Sequence, residues 1–403
     1  MEAANRRSIL ILSFSLIVVM LGYGMVIPLF PFYIEKLGAS GNELGLLVAT
    51  YAATEFVFAP VWGSLSDRVG RKPILVVGVL GNGLSLLLFG LSSRLWMLFA
   101  ARALSGILAS ATFPVALAYV SDHTSDKARG GGIGMLGAAM GLGVILGPGI
   151  GGWLATGSLS TPFYLAAGLS VLAVPLILLL LPESRGEGEA PAAVGPRALW
   201  RALWSPIGIL LFLLFLVSFG LINFESIFGL YAAERFGYGP DRVGTILMVI
   251  GIVSTAGKAT LIGPLTKWWG EARIAKVSLF ASAVGFVVLV LASTYPTILL
   301  ATGLFILSKT LLRTALLSLA SKHAEMGRGA TMGLGNAFIS LGRVAGPIWA
   351  GYAFDLNIHA PYLSGAAIMM AGFLISLVWV KQRAEQMAGR QPAEGQRLGQ
   401  QST

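Results

Sequence analysis

The chain has 403 residues, of which only 11% are Asp, Glu, Lys or Arg, against roughly 25% in a soluble globular protein, so it cannot clothe a water-facing surface. Apolar residues make up 56%, glycine occupies 52 positions and mean hydropathy is +0.80; the expected fold class is an all-α polytopic membrane protein with helices packed closely in lipid. The 28 Lys and Arg behind the net charge of +10 are scattered through apolar sequence, which argues against a nucleic-acid partner, and the absence of Cys excludes disulfides, thiolate metal sites, iron–sulfur clusters and thiol catalysis.

A helical span needs about 20 largely apolar residues to cross a ~30 Å hydrocarbon core. Twelve such stretches follow one another, near 8–33, 43–64, 74–92, 95–120, 131–155, 162–181, 206–231, 243–264, 274–292, 296–319, 330–353 and 361–380. The first begins with the basic Arg6 and Arg7, but its apolar run exceeds a signal-peptide core and no A-x-A site follows, so it reads as a retained span. In the connections, nineteen Lys and Arg fall in one alternating set of segments and four in the other. This places both termini in the cytoplasm of a multi-pass cell-membrane protein. Residues 1–182 form a first six-helix bundle and 206–381 a second. The polar stretch 183–205 is a cytoplasmic linker, and 382–403, rich in Gln, Gly and Arg, a disordered cytoplasmic tail.

The second half repeats the first at an offset of 199 to 200 residues. Glu35-Lys36-Leu37-Gly38 meets Glu234-Arg235-Phe236-Gly237, Gly63-x-Leu65-Ser66-Asp67-Arg68-x-Gly70 meets Gly263-x-Leu265-Thr266-Lys267-Trp268-x-Gly270, and Ser121-x-His123 meets Ser321-x-His323. Arg129-Gly130 meets Arg328-Gly329, and Gly147-Pro148 meets Gly346-Pro347. A unit with an even number of spans gives halves of the same membrane orientation, related by an axis along the membrane normal, as in transporters that rock two bundles about a central site.

Three motifs stand out. Between spans 2 and 3, Gly63, Asp67, Arg68, Gly70, Arg71 and Lys72 form a charged loop whose ion pairs can form in one arrangement of the halves and break in another; the alternative is a plain stop-transfer loop. Arg102-Ala-Leu-Ser-Gly106 puts a base inside span 4. In span 5, Gly143, Gly147 and Gly151 make a small-xxx-small stripe beside Pro148 and Gly152, suited to close helix packing or to gating. With these motifs, residues 16 to 380 resemble the major facilitator superfamily, and within it the bacterial drug:proton antiporters of the multidrug and tetracycline type. The resemblance implies twelve spans in two pseudo-repeats, the signature loop at Gly63–Lys72, and in span 5 a motif typical of antiporters. Gly132-x-Gly134-x-x-Gly137 also satisfies a dinucleotide fingerprint, but it opens a membrane helix with no preceding strand. His123, His323 and His359 lack metal-ligand spacing.

Glu55 and Glu225 lie inside spans 2 and 7, where a charged carboxylate costs about 2.5–3.5 kcal/mol on insertion scales. Loss of hydration penalises the ionised form, which suits a group that takes up and releases protons. The alternative is a buried pair with Arg102, Lys309 or Arg313. Asn223-Phe224-Glu225-Ser226 resembles the span 7 of multidrug pumps with a functional Glu there, whereas Val18-Val19-Met20, Lys309-Thr310 and Glu55 replace residues typical of relatives. Five in-span bases, Arg102, Lys258, Lys309, Arg313 and Arg343, face two acids. With Lys309 and Arg313 on one face of span 10, and Asn336 and Arg343 on one face of span 11, the expected substrate cavity is walled by Arg102, Asn223, Lys309, Arg313, Asn336 and Arg343. That interior favours an anionic or zwitterionic amphiphile; the alternative is that Lys258 and Arg343 snorkel or bond to carbonyls.

The expected function is proton-coupled efflux of a small amphiphile or antibiotic by alternating access, with a metabolite or lipid carrier, including a flippase, as the alternative and a membrane receptor behind it. No nucleophile, base and orienting group assemble with recognisable spacing, so no enzyme, catalytic residue or metal site is expected. The expected partners are a small-molecule substrate, protons and the lipid bilayer, with the proton gradient as the energy source, no cofactor and a monomeric chain.

Overall fold

The computed structural model describes residues 2–124, 126–184, 196–205, 207–322 and 328–377. The tail at 382–403, residues 185–195 of the linker and His323 lie outside them. The spans are α1 (Arg7–Lys36), α2 (Gly41–Val69), α3 (Arg71–Leu91), α4 (Leu95–His123), α5 (Arg129–Leu154) and α6 (Thr161–Leu180) in the first half. The second half holds α7 (Gly208–Phe236), α8 (Pro240–Thr260), α9 (Ile262–Leu291), α10 (Tyr295–Lys322) and α12 (Ala360–Leu377), with α11 (Arg328–Leu356) between the last two. Eleven of these helices are long and apolar enough to cross a membrane. α11 is as long as its neighbours, but Asn336, Arg343, Pro347 and its glycines lower its hydropathy. The 29 residues of α2 at ~1.5 Å each are longer than the bilayer core is thick, so such a helix tilts or projects beyond it.

Two boundaries differ from the expectation. The stretch 265–273, read as a loop, is helical and belongs to α9, which kinks at Gly270. The linker contains a helix, Pro196–Leu203, from which Trp200 and the following Trp204 are exposed with their rings in T-shaped contact. α1 and α4 tighten into 3-10 turns at Ile27–Leu29 and Ala109–Ala111, where Pro28 or the following Pro114 cannot donate a backbone hydrogen bond.

The duplication is written into the backbone. Among the described residues the only positive φ values are at Gly38 (66°) and Gly237 (65°), and at Gly70 (112°) and Gly270 (72°), two pairs at the repeat offset. Each pair ends an equivalent helix or turns an equivalent corner, conformations that a Cβ disfavours.

The same offset organises the packing. Gly143 and Gly147 of α5 lie against α1, a Cβ on Gly143 coming 2.7 Å from the Ile17 carbonyl and one on Gly147 2.7 Å from the Gly24 Cα. Gly342 and Gly346 of α11 lie likewise against α7, at the carbonyls of Phe215 and Phe219. The opposite faces of α5 and α11 form the seams between halves. Gly41 and Gly45 of α2 meet Pro347 and Gly351 of α11, and Pro240 and Gly244 of α8 meet Pro148 and Gly152 of α5. The Asp355 carboxylate accepts from the backbone N–H groups of Gly41 (2.8 Å) and Asn42 (2.9 Å), so the second half caps the N-terminus of a helix in the first. The halves are thus zipped at the face carrying Gly41 and Asp355. Towards the opposite, basic face, a Cβ on Gly63, Gly134, Gly137 or Gly141 would meet nothing within 4 Å. Gly132, Gly134 and Gly137 sit inside α5, so the dinucleotide-like pattern is helical.

A Gly45→Leu variant is expected to prevent closure of this face, because its Cβ would overlap the Pro347 carbonyl. Because the chain has no Cys, one introduced at Ile27, on the cavity wall, reports this directly. Maleimide should label it from the closed face in the variant and from the basic face in the parent; unchanged labelling would mean that the seam yields elsewhere.

Candidate functional site

A cavity of about 500 Å³ opens between the halves, within the range that encloses a drug-sized molecule. Its wall takes Tyr23 and Ile27 from α1, Val144 and Pro148 from α5, and Ile339 from α11, with the remainder from α7, α8 and α10. Leucine, isoleucine and valine side chains form its apolar part, interrupted by Tyr23, Ser218, Glu225, Lys258, Lys309, Thr310, Arg313, Thr314 and the Ser254 hydroxyl, which lies 2.8 Å from that of Thr310.

Glu225 makes no hydrogen bond and no ion pair within 4 Å among the described residues. The pairing with Arg102, Lys309 or Arg313 considered from sequence is not formed, although Arg343, Arg313 and Lys309 all lie within electrostatic reach. Glu225 also borders a water-sized second cavity of about 30 Å³, shared with Arg102, Arg343, Tyr23 and Tyr51. It therefore stands between the main cavity and a small chamber that holds two arginines.

Glu55 is paired, with a partner that sequence reasoning did not assign. Its Oε2 lies 2.6 Å from an Arg343 nitrogen, and both side chains are partly exposed. Arg343 therefore neither snorkels nor relies on carbonyls; it ties α11 to α2 across the interface between halves. Among the described residues it is the one ion pair between oppositely charged side chains of the two halves.

The remaining candidates separate. Arg102 is 2% exposed and lies in an aromatic cage, its guanidinium carbon 4.5 Å from the Tyr51 ring centroid, 4.7 Å from that of Phe30 and 5.8 Å from that of Tyr23. Cation–π attraction to these faces replaces part of the hydration it has lost, while its Nε has no hydrogen-bond partner. It borders the small chambers and not the main cavity. Lys309 reaches the main wall but is 2% exposed. Its Nζ is lodged by the Val217 carbonyl at 3.4 Å and Met369 Sδ at 3.1 Å, against the rings of Phe286 and Phe305. Arg313 and Lys258 stay exposed on the wall. Of the six residues expected to wall the cavity only Lys309 and Arg313 do so; Arg102 and Arg343 border the small chamber instead, and two others lie elsewhere. Asn223 is buried, donating to the Pro361 carbonyl at 2.7 Å, and Asn336 is exposed outside the cavity wall; each is rotated away from the space it was expected to line.

In this structure the signature loop makes its ion pairs within the first half. Asp67 pairs with Arg71 at 2.6 Å, one turn away within the first half, and the buried Arg71 further donates to Asp122 at 3.0 Å and Ser66 at 2.6 Å. The Glu183 carboxylate accepts from the Lys72 N–H at 3.1 Å, and the Ser184 carbonyl from the Arg71 N–H at 2.9 Å. The start of the linker thus caps α3. These links hold α2, α3 and α4 to one another and do not bridge the halves. With Arg71 still anchored by Asp122 and Ser66, Asp67→Asn is expected to slow interconversion of the open states several-fold and leave equilibrium binding unchanged. Fluorescence reporting across the two faces checks the first and ligand titration the second; weakened binding with unchanged kinetics would contradict this.

Residues 12–326 match the Major Facilitator Superfamily. Multidrug resistance protein 1 of Bacillus subtilis is 33% identical over 380 residues, covering 94% of this chain and 97% of that protein. Quinolone resistance protein NorA of Staphylococcus aureus (strain COL) is 30% identical over 380 residues, covering 94% and 98%. Among solved structures, the nucleoside transporter NupG is similar with a TM-score of 0.79 at 13% identity, over 93% of this chain and 99% of that one. A bacterial homologue of the human lysosomal transporter Spinster, inward-facing and unoccupied, gives 0.75 at 14% identity, over 94% and 96%. At such identities the likeness is one of fold.

Proposed function

The chain belongs to the Major Facilitator Superfamily, whose members are secondary transporters and not enzymes, and from that premise we propose that it exports a small amphiphilic compound in exchange for protons. The carrying observation is a cavity walled by both halves, zipped on one face, with an unpaired carboxyl, Glu225, in its wall. Positive-inside counting supports a cytoplasmic basic face, and on that reading the open side of the cavity faces inward. Multidrug and quinolone resistance in relatives that align over nearly their whole length supports drug efflux as the direction of transport.

In this reading Glu225 exchanges a proton for substrate, Glu55–Arg343 holds the outer face shut, and the Gly/Pro seams provide the surfaces on which the halves rock. The chain works as a monomer, since each element of the cycle lies within it. Expression in a bacterium lacking its own drug pumps tests the reading. Cells should accumulate less of a fluorescent drug, and a protonophore should abolish the difference; accumulation unaffected by the chain, or a difference that survives collapse of the gradient, would contradict it.

A further inference from the structure

The charge on the cavity wall is unbalanced. Lys258 of α8 and Arg313 of α10 are exposed there, neither makes a hydrogen bond or ion pair among the described residues, and each lies within electrostatic reach of the other. Two like charges so placed, partly removed from water, attract an anion more strongly than either would on an open surface. The chamber beyond cannot supply that anion, because Glu55 is taken by Arg343. Glu225, on the facing helix α7, is the one acid in the wall. Between these poles the surface is apolar, with Leu221, Leu247, Ile250 and Leu317.

We propose that Arg313 and Lys258 form an anion-binding subsite, and that the substrate is a zwitterionic amphiphile with its anionic group on these bases and its protonated amine at Glu225. The inference rests on the export reading and specifies its substrate. It also supplies a reason for exchange. A substrate ammonium and a proton both neutralise Glu225, so each displaces the other, while the anionic group is recognised by bases that take no part in that competition. A purely anionic substrate would bind best with Glu225 protonated and so would not exchange with the proton. A purely cationic one would meet Arg313 and Lys258 uncompensated.

The test is equilibrium binding in phosphatidylcholine nanodiscs without any gradient, using norfloxacin, which carries an aryl carboxylate and a piperazine amine, and its methyl ester, which lacks only the anion. The parent should bind the zwitterion about tenfold more tightly than the ester, the size of one charge contact in a partly solvated site. Arg313→Gln should remove most of that preference by weakening the zwitterion alone, and Arg313→Lys should retain it. Binding of the ester serves as the control for folding; if Arg313→Gln binds neither compound, Lys258→Gln takes its place. Equal or tighter binding of the ester by the parent, or equal weakening of both compounds in the variant, would overturn the proposal. Repeating the titration in phosphatidylethanolamine discs distinguishes two sources of the same headgroup chemistry. Competition by the lipid identifies a membrane lipid as the occupant, and unchanged affinity identifies a free amphiphile. Because no gradient is applied, failed export with intact preference would strike the transport reading and leave the subsite standing.

Discussion

Glu225→Gln is expected to abolish substrate efflux driven by a pH gradient, by about two orders of magnitude or more, while leaving the protein folded. The amide keeps the size and much of the hydrogen-bonding capacity of the carboxyl, but it cannot exchange a proton. Glu225 makes no hydrogen bond or ion pair among the described residues, so the substitution breaks no direct contact, although Arg343, Arg313 and Lys309 lose the attraction of its charge; retained substrate binding separates lost coupling from misfolding. Downhill exchange of labelled for unlabelled substrate, which needs no net proton movement, should continue, though at higher substrate concentration, because a neutral amide holds the substrate amine less tightly than a carboxylate. Efflux measured in inverted vesicles with an imposed gradient checks this; wild-type rates in the variant would remove Glu225 from the coupling mechanism.

The second large effect concerns Glu55 and Arg343. Replacing either one with Gln leaves the other charge without its partner inside the membrane, which for a fully buried pair costs about 3–5 kcal/mol. These side chains keep 28% and 29% of their exposure, so a smaller cost of about 1–3 kcal/mol is expected, still a tenfold or greater shift in population. Because the pair ties α2 to α11 alongside the zipped face, each single variant should favour the state in which that face is open. The double variant Glu55→Gln/Arg343→Gln should recover most of the original balance, since no unpaired charge remains. Distances between spin labels at the ends of α2 and α11 read the populations. Additive effects of the two substitutions would show that the residues act separately.

Much of the fold was legible because its determinants are local. Span length and the Gly and Pro landmarks recur at a single offset, and the same landmarks prove to be the sites of positive φ and of close helix approach, as at Gly70 with Gly270 and Pro148 with Pro347. The site was legible in composition but not in pairing. Lys309 and Arg313 are four residues apart and were expected on one face, yet that spacing leaves a rotation of about 40°. This is enough to sink Lys309 among Phe286, Phe305 and Met369 while Arg313 stays in the cavity. Glu55 and Arg343 come from opposite halves, and their meeting depends on how the two bundles dock, which no local pattern records. Arg102 was expected in the substrate cavity because its charge was visible. The cage of Tyr23, Phe30 and Tyr51 that encloses it is assembled from two other helices. The i,i+4 spacing of Asp67 and Arg71 was in plain view, and it now explains why that pair stays inside one half.

Proton movement coupled to substrate movement is the heart of the proposed mechanism and can be measured directly. Purified protein is reconstituted into liposomes with a pH-sensitive dye trapped inside, a defined pH difference is imposed, and norfloxacin is added to one side. Antiport predicts a change of internal pH that begins only on addition of substrate, reverses sign when substrate is placed on the other side, and disappears in Glu225→Gln. Substrate crossing the membrane with no accompanying proton movement, or proton flux of the same size without substrate, would contradict it.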